Sequence, residues 1–219
     1  MANSHLPAHA PIIVFDFGGV LFNWKPAQLI QSVLPAHARN DAQALALAAE
    51  VFQSFTPGGD WSEFDRGALS WDEVAARIAL RTGVPEADVQ ALMAAIPPHL
   101  APMRETVDWL HALADDGVRL HFLSNMPRPF AEYLTREHAF LGRFISGVFS
   151  CDVGQIKPHA DIFVTAAKRF DAQAHELVFI DDSIHNVHAA LNQGWRAVQF
   201  LDAAQCRREL AERGWLPPR

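Results

Sequence analysis

The sequence predicts an α/β fold: a Rossmann-like parallel sheet with helices on both faces and a helical segment inserted after the first strand. Three observations carry this. Short, wholly apolar, β-prone runs end in Asp, Ser or Gly, the pattern of buried parallel strands that feed tight loops. Beyond about residue 100, such runs alternate with amphipathic helical stretches, and units of this length wind into a sheet covered on both sides. Between the first run and this alternating half, helical periodicity dominates and no comparable strand occurs.

Taken in order, residues 1–11 are small and polar with two prolines and read as a loose leader. The apolar run Ile12–Phe15 is the first strand; it stops at Asp16 and the Gly18-Gly19 pair. Ala- and Leu-rich helices are predicted at about 26–34, 41–55, 71–82 and 86–96. Ser70 and Glu73 form a capping box ahead of the third, and Gly83 with Pro85 closes it. Asp60, Trp61, Glu63, Asp65, Arg66 and Gly67 fall in a loop between helices, which reads equally as a segment able to close over a pocket and set specificity or, through Gly58-Gly59 and Gly67, as turns alone.

After Pro97-Pro98 come a helix over about 102–116, a strand over 118–123 that leads into Ser124-Asn125, a helix near 130–138 and a strand near 146–150. A helix over 160–170 and a strand over 177–180 follow, the strand meeting Asp181-Asp182. The chain then closes with a helix near 184–193, a strand at 197–201 and a helix near 203–213. The expected division is a core of residues 1–24 and 100–219 with a helical insert at 25–99.

The 219 residues suit one large domain or a domain with an insertion, and half of them are hydrophobic, enough for a sizeable core. The net charge of −7 and a pI of about 5.8 disfavour nucleic acid as a partner. No uncharged apolar run reaches the roughly 18 residues of a membrane helix. The N-terminus also lacks the basic start and apolar core of a secretory signal, so the expectation is a cytoplasmic protein without a membrane partner. Cys151 and Cys206 have neither metal-site nor disulfide-framework spacing and read as reduced thiols. Nothing fixes the oligomeric state.

In open parallel sheets, ligands bind outside the carboxyl ends of the strands. The polar residues at those ends are Asp16, then Ser124 and Asn125, then Asp181 and Asp182; Lys157, in the loop 154–158, can reach the same rim. Each alone reads equally well as a turn, cap or solvated loop residue. Their order, one set per strand end, is what capping does not predict. Three gathered carboxylates need compensation. An oxygen-only donor set favours Mg²⁺, and an ion plus Lys157 balances the three negative charges. Around them, the Ser124 hydroxyl, the Asn125 amide, Lys157 and the loop N–H groups after Asp16 suit a phosphate.

The segments Val14-Phe15-Asp16-Phe17-Gly18-Gly19-Val20, Leu123-Ser124-Asn125, Lys157-Pro158 and Phe179-Ile180-Asp181-Asp182-Ser183 resemble, in order, the four motifs of the haloacid dehalogenase-like hydrolase superfamily. The chain is most similar there to the bacterial sugar-phosphate phosphatase-like branch and to the N-terminal phosphatase domain of soluble epoxide hydrolase. The resemblance implies that the insert is a cap. It further implies a Mg²⁺-dependent phosphatase acting on a small phosphorylated metabolite, with Asp16 forming an aspartyl-phosphate. Ser124, Asn125 and Lys157 would bind the phosphoryl oxygens; Asp16, the carbonyl of Gly18 and Asp182 would hold the ion, with Asp181 acting directly or through water.

One position departs from the pattern. Most phosphatases of the superfamily carry a second Asp two residues after the nucleophile as general acid and base, and here that residue is Gly18. A positioned acid is worth about 10²–10⁴ in rate. Either another group, a water or the cap replaces it, or the substrate has a good leaving group, such as an anomeric, acyl or aryl phosphate. Gly18 also leaves open a carbon–halogen hydrolase, against which Asp181-Asp182 argues, and a non-catalytic phosphate-binding protein. Asn23 and Trp24 could line the entrance, Trp24 more readily as a packing residue. Arg128 reads as an exposed loop cation, and His185 and His188 as surface residues, with His185 a remote candidate for the base.

Overall fold

The computed structural model describes residues 11–216, so all but the last residue of the predicted leader lies outside the described residues. Five parallel strands form one sheet in the order β3-β2-β1-β4-β5: β1 (Ile12–Phe15), β2 (Leu120–Ser124), β3 (Ser146–Phe149), β4 (Leu177–Asp181) and β5 (Arg196–Gln199). The central strand β1 is buried at every position, as the unbroken apolar run demands. From β1 the chain steps to β2 and β3 on one side and then crosses to β4 and β5 on the other. That reversal opens a crevice at the carboxyl ends of β1 and its neighbours. Phe15 pairs with Phe122 and with Ile180, so Asp16, Ser124 and Asp181 emerge at one edge.

Alternation along β1 serves two apolar layers. Ile12 and Val14 pack with Ile162, Phe163 and Ala166 of α9 (Ala160–Arg169) and with Val187 and Ala190 of α10 (Ile184–Asn192). Ile13 and Phe15 face the other layer, which holds Trp109, Leu110 and Leu113 of α6 (Arg104–Asp115) and Cys206 and Leu210 of α11 (Ala203–Glu212). That second layer runs without a break into the insert.

The insert contains α1 (Pro26–Val33), α2 (Asp41–Phe52), α3 (Asp60–Asp65), α4 (Trp71–Thr82) and α5 (Glu86–His99). The Ser70–Glu73 capping box is formed at the start of α4, and Gly83 caps its end at φ +73°. Three local readings are corrected. Residues 60–65 form a helix, not a loop: Trp61 and Phe64, three apart, share a face that packs on Phe52 and Phe130, and six residues are too few to show a period. The helix expected at 86–96 runs on through Pro97 and Pro98 to His99, because Ile96 and Pro97 are buried in the shared core and packing overrides the lost donors. The helix expected at 41–55 stops at Phe52; Gln53, Ser54 and Phe55 follow in a 3₁₀ turn, all at positive φ.

On the core side, α7 (Arg128–Glu137) follows β2. A one-turn helix, α8 (Ser150–Val153), takes up the last residue of the strand expected at 146–150. Among the described residues, no helix is long and apolar enough to cross a membrane.

Candidate active site

The loop after β1 turns at Phe17, whose carbonyl accepts from the N–H groups of Leu21 and Phe22 at 2.8 and 2.9 Å. Gly19 stands at φ +71°, and a Cβ there would lie 2.3 Å from Oδ2 of Asp182. Glycine is required on both counts: the backbone is left-handed, and the carboxylate of the neighbouring strand end occupies the side-chain space. No such constraint acts on Gly18, where a Cβ would meet its nearest neighbour, Trp24 Cβ, at 3.9 Å.

Lys157 is the centre of the site. Its ammonium, 1% exposed, donates to Asp16 Oδ1 at 2.8 Å and to Asp181 Oδ2 at 2.6 Å, and it lies 5.2 Å from the centre of the Phe179 ring. The backbone beneath it is clamped by Asn125: its Oδ1 accepts from Lys157 N–H at 2.8 Å and its Nδ2 donates to Lys157 O at 3.0 Å. A side-chain amide paired with both main-chain groups of one residue fixes where that lysine starts. Asp181, fully buried, also accepts from Ser183 N–H at 2.8 Å and from Asn186 Nδ2 at 3.0 and 3.1 Å. Both its oxygens are therefore engaged by the protein.

The carboxylate oxygens of Asp16, Asp181 and Asp182 lie within 4.8 Å of one another. Burial pushes the Asp16 carboxyl up to about 7; Lys157 opposes the rise, and Asp181 and Asp182 add to it. Burial, then Asp181, lifts Asp182 to about 6. Burial works against the Lys157 ammonium, but Asp16 and Asp181 outweigh it and hold the group above the ordinary lysine range. One lysine against three carboxylates leaves surplus negative charge. With oxygen donors only, the cluster fits a hard divalent cation. Since both oxygens of Asp181 are engaged by Lys157, Ser183 and Asn186, the side-chain oxygens left to ligate are those of the exposed Asp182 and the Asp16 oxygen not paired with Lys157.

A cavity of about 550 Å³ opens over this cluster. Asp16, Gly18, Ser124, Asn125, Lys157 and Asp182 lie at its floor end, while Trp24, Phe55, Trp61, Ile96, Leu100 and Phe130 supply apolar wall. The sequence-predicted site residues thus meet in one place, Asp181 just beneath the surface. Trp24 lines the cavity and also packs on Phe52 at 5.3 Å. His185 lines the cavity and is exposed, whereas His188 is a surface residue. Arg128 is exposed and pairs with Asp152 at 3.1 Å. One residue escaped the sequence reading: Asn186 could have been suspected as a polar residue in the first turn of the helix after Asp181-Asp182. Asp65, buried and lining the same cavity, belongs to the insert segment expected either to close over a pocket or only to form turns; it lies on a helix and not in a loop.

The family model of the haloacid dehalogenase-like hydrolases matches residues 11–194. A sesquiterpene phosphatase of Aspergillus oryzae is 26% identical over 200 residues, covering 91% of this chain and 94% of that protein. A drimenol cyclase of Aspergillus calidoustus is 27% identical over 214 residues, 92% of this chain but 37% of its own length. Among solved structures, a haloacid dehalogenase family enzyme of Bacteroides thetaiotaomicron in complex with magnesium and inorganic phosphate aligns with a TM-score of 0.68 at 19% identity, covering 90% of this chain and 98% of that one. L-2-haloacid dehalogenase of Xanthobacter autotrophicus aligns with a TM-score of 0.66 at 19% identity, covering 94% and 84%; likeness at this identity speaks for the fold alone. Because that family model spans most of its length, the chain belongs to the haloacid dehalogenase-like hydrolase family.

Proposed function

We propose that this hydrolase is a Mg²⁺-dependent phosphatase that cleaves a small phosphate monoester with an apolar alcohol portion, through a phosphoenzyme on Asp16. The observation that carries the reading is the Lys157 ammonium held between Asp16 and Asp181 under an apolar-walled cavity. A carboxylate so placed attacks phosphorus; the P–O(Asp16) bond forms as the ester P–O bond breaks, and water then cleaves the acyl phosphate. Lys157, the Ser124 hydroxyl and the main-chain N–H groups after Asp16 neutralise and orient the phosphoryl oxygens, while Asn125 holds Lys157 in place. Asp16, the Gly18 carbonyl and Asp182 are the groups to hold Mg²⁺, with Asp181 acting through its neighbours. When bound, Mg²⁺ adds positive charge beside the phosphoryl group and favours ionised Asp16.

Residues 25–99 act as the cap: their aromatic side chains wall the space in which the alcohol portion sits, and so they set specificity. The sesquiterpene phosphatase, similar over nearly its whole length, supports an apolar phosphorylated metabolite as the substrate class. Because position 18 is a glycine, the core loop contributes no acid of its own. Left to itself, it favours phosphates whose leaving groups need little protonation.

The test is phosphate release from p-nitrophenyl phosphate, sugar phosphates and prenyl monophosphates, with Mg²⁺ and with EDTA, beside halide release from 2-chloropropionate. The expected result is Mg²⁺-dependent phosphate release that prefers prenyl over sugar esters and is abolished in Asp16→Asn with the fold retained. Halide release would support the carbon–halogen hydrolase, and phosphate binding without turnover on any ester would make the chain a binding protein; either overturns the proposal.

A further inference from the structure

We infer that Asp65, delivered by the insert on α3, is the general acid–base of this site and takes the role that Gly18 leaves vacant. The inference rests on the phosphatase reading above. Three carboxyls line the cavity, those of Asp16, Asp65 and Asp182. Asp16 and Asp182 belong to the cluster that fits a cation, whereas Asp65 stands outside it. It comes from the insert, which walls the space that the alcohol portion of a substrate must occupy once its phosphoryl group is seated at the strand ends.

The placement of Asp65 is built, not incidental. The Ser150 hydroxyl donates to the Asp65 carbonyl at 2.5 Å and accepts from Met126 N–H at 2.8 Å. One buried hydroxyl thus ties α3 to the loop that begins with Ser124-Asn125. Two residues later the insert backbone lies directly on α8: Gly67 stands at φ +78°, and a Cβ there would come 3.3 Å from Cys151 O and 3.4 Å from its Cα. Among the described residues no group donates to or accepts from the Asp65 carboxyl, although the residue is only 6% exposed. A buried acid with no protein partner, opening into a reaction cavity, is available to a substrate oxygen. Burial holds it well above the usual carboxylate range; Lys157 opposes this and Asp16 reinforces it. Burial thus favours the acid form over the carboxylate, the form a proton donor needs. The open space beside Gly18 shows that packing does not forbid a carboxylate there; the chain places its acid on the insert instead.

The proton balance closes over both steps. As Asp16 bonds to phosphorus and the ester P–O bond breaks, the Asp65 proton passes to the leaving oxygen and the alcohol departs neutral. The Asp65 carboxylate then takes a proton from the water that attacks the aspartyl-phosphate. The P–O(Asp16) bond breaks, phosphate leaves, and both side chains return to their starting forms.

The experiment measures kcat/KM, which reports the first step, for p-nitrophenyl, phenyl and alkyl phosphates in wild type and in Asp65→Asn, with Mg²⁺ present. Wild type should show little dependence on the leaving group. In Asp65→Asn, kcat/KM for alkyl phosphate should fall by about 10²–10⁴, while that for p-nitrophenyl phosphate changes little. Its second step should slow as well, giving a burst of p-nitrophenol close to one per active site. In Gly18→Asp/Asp65→Asn, the restored acid should recover alkyl phosphate turnover. A steep leaving-group dependence in wild type, or an equal loss for every ester in Asp65→Asn, overturns the assignment; the wild-type slope decides even if the variant does not fold. Wild type inactive on every ester instead refutes the phosphatase reading, so the two failures are told apart.

Discussion

Replacing Lys157 by methionine keeps the length and packing of the side chain and removes one charge from a site that holds three of the opposite sign. At 2.8 and 2.6 Å from Asp16 and Asp181, each pair has a gross attraction of about 6 kcal/mol at an effective dielectric constant of about 20. Most of that offsets the desolvation of an ammonium that is 1% exposed. Breaking a buried pair by removing one partner leaves the carboxylates without a counter-charge, at a cost of roughly 3–5 kcal/mol. For a chain of this size that corresponds to a fall in Tm on the order of 10 °C.

The loss must depend on pH, and its sign is fixed. With Lys157 present, burial already holds the folded Asp16 carboxyl at about 7 against an ordinary value of 3.8. Between those values the folded chain binds more protons than the unfolded one, so stability falls as pH rises through the window. Without Lys157 the carboxyls move further up and the window extends upward. Urea unfolding at pH 5 and pH 8, free of metal, should therefore show the full deficit at pH 8 and a much smaller one at pH 5. An equal deficit at both values, or a variant more stable than wild type at pH 8, would refute the argument that this lysine serves as counter-charge to the aspartates.

Three further outcomes follow from single contacts. His121 is buried, bonded to Ser146 Oγ at 2.9 Å and stacked 4.4 Å from Phe170; burial drives it down to about 4 from 6.5. The folded state therefore binds fewer protons than the unfolded one between those values. Stability therefore drops as the pH is lowered through the window, by about 2 kcal/mol from pH 7 to 4.5, a component that His121→Gln should remove from the unfolding curves. Gly19→Ala places a Cβ against Asp182 and forces an L-residue to φ +71°; it should cost about 1–2 kcal/mol in backbone strain alone and weaken Mg²⁺ binding by calorimetry. Unchanged affinity would take Asp182 out of the metal site. Asn186→Ala removes two hydrogen bonds from buried Asp181 and should weaken Mg²⁺ binding about 10–100-fold, with kcat/KM falling alongside.

What could be read from the sequence depended on how far apart its causes lay. β1 is legible because Ile12–Phe15 is apolar at every position and ends abruptly at Asp16, and the covered sheet then places Asp16, Ser124 and Asp181 at one edge. The motifs around Lys157 and Asp182 are local, so they survive the reading intact. Helix α3 is not legible: its six residues hold together through Phe52, Phe130 and Ser150, which lie far away in the chain. Asp65 stands out in the sequence only as one of several polar residues of that segment, and its burial is not legible for the same reason. Its environment is assembled from the insert, the loop after β2 and the start of α8, and no spacing records such a meeting. Asn186 carries only a weak local clue, a polar side chain in the first turn after Asp181-Asp182; that its amide turns back onto Asp181 is set by the fold.

The apolar layer that passes unbroken from Ile13 and Phe15 into Val74, Leu92 and Ile96 limits how this molecule can breathe. Swinging the helical bundle outward as a unit would tear a common interior and uncover both halves at once. The turn at Gln53–Phe55 stands apart from that common interior and borders the cavity with a half-exposed phenylalanine. Its three consecutive left-handed residues each cost about 1–3 kcal/mol of conformational energy, so the strained stretch of the insert sits at the cavity wall while the helices behind it share the packed interior.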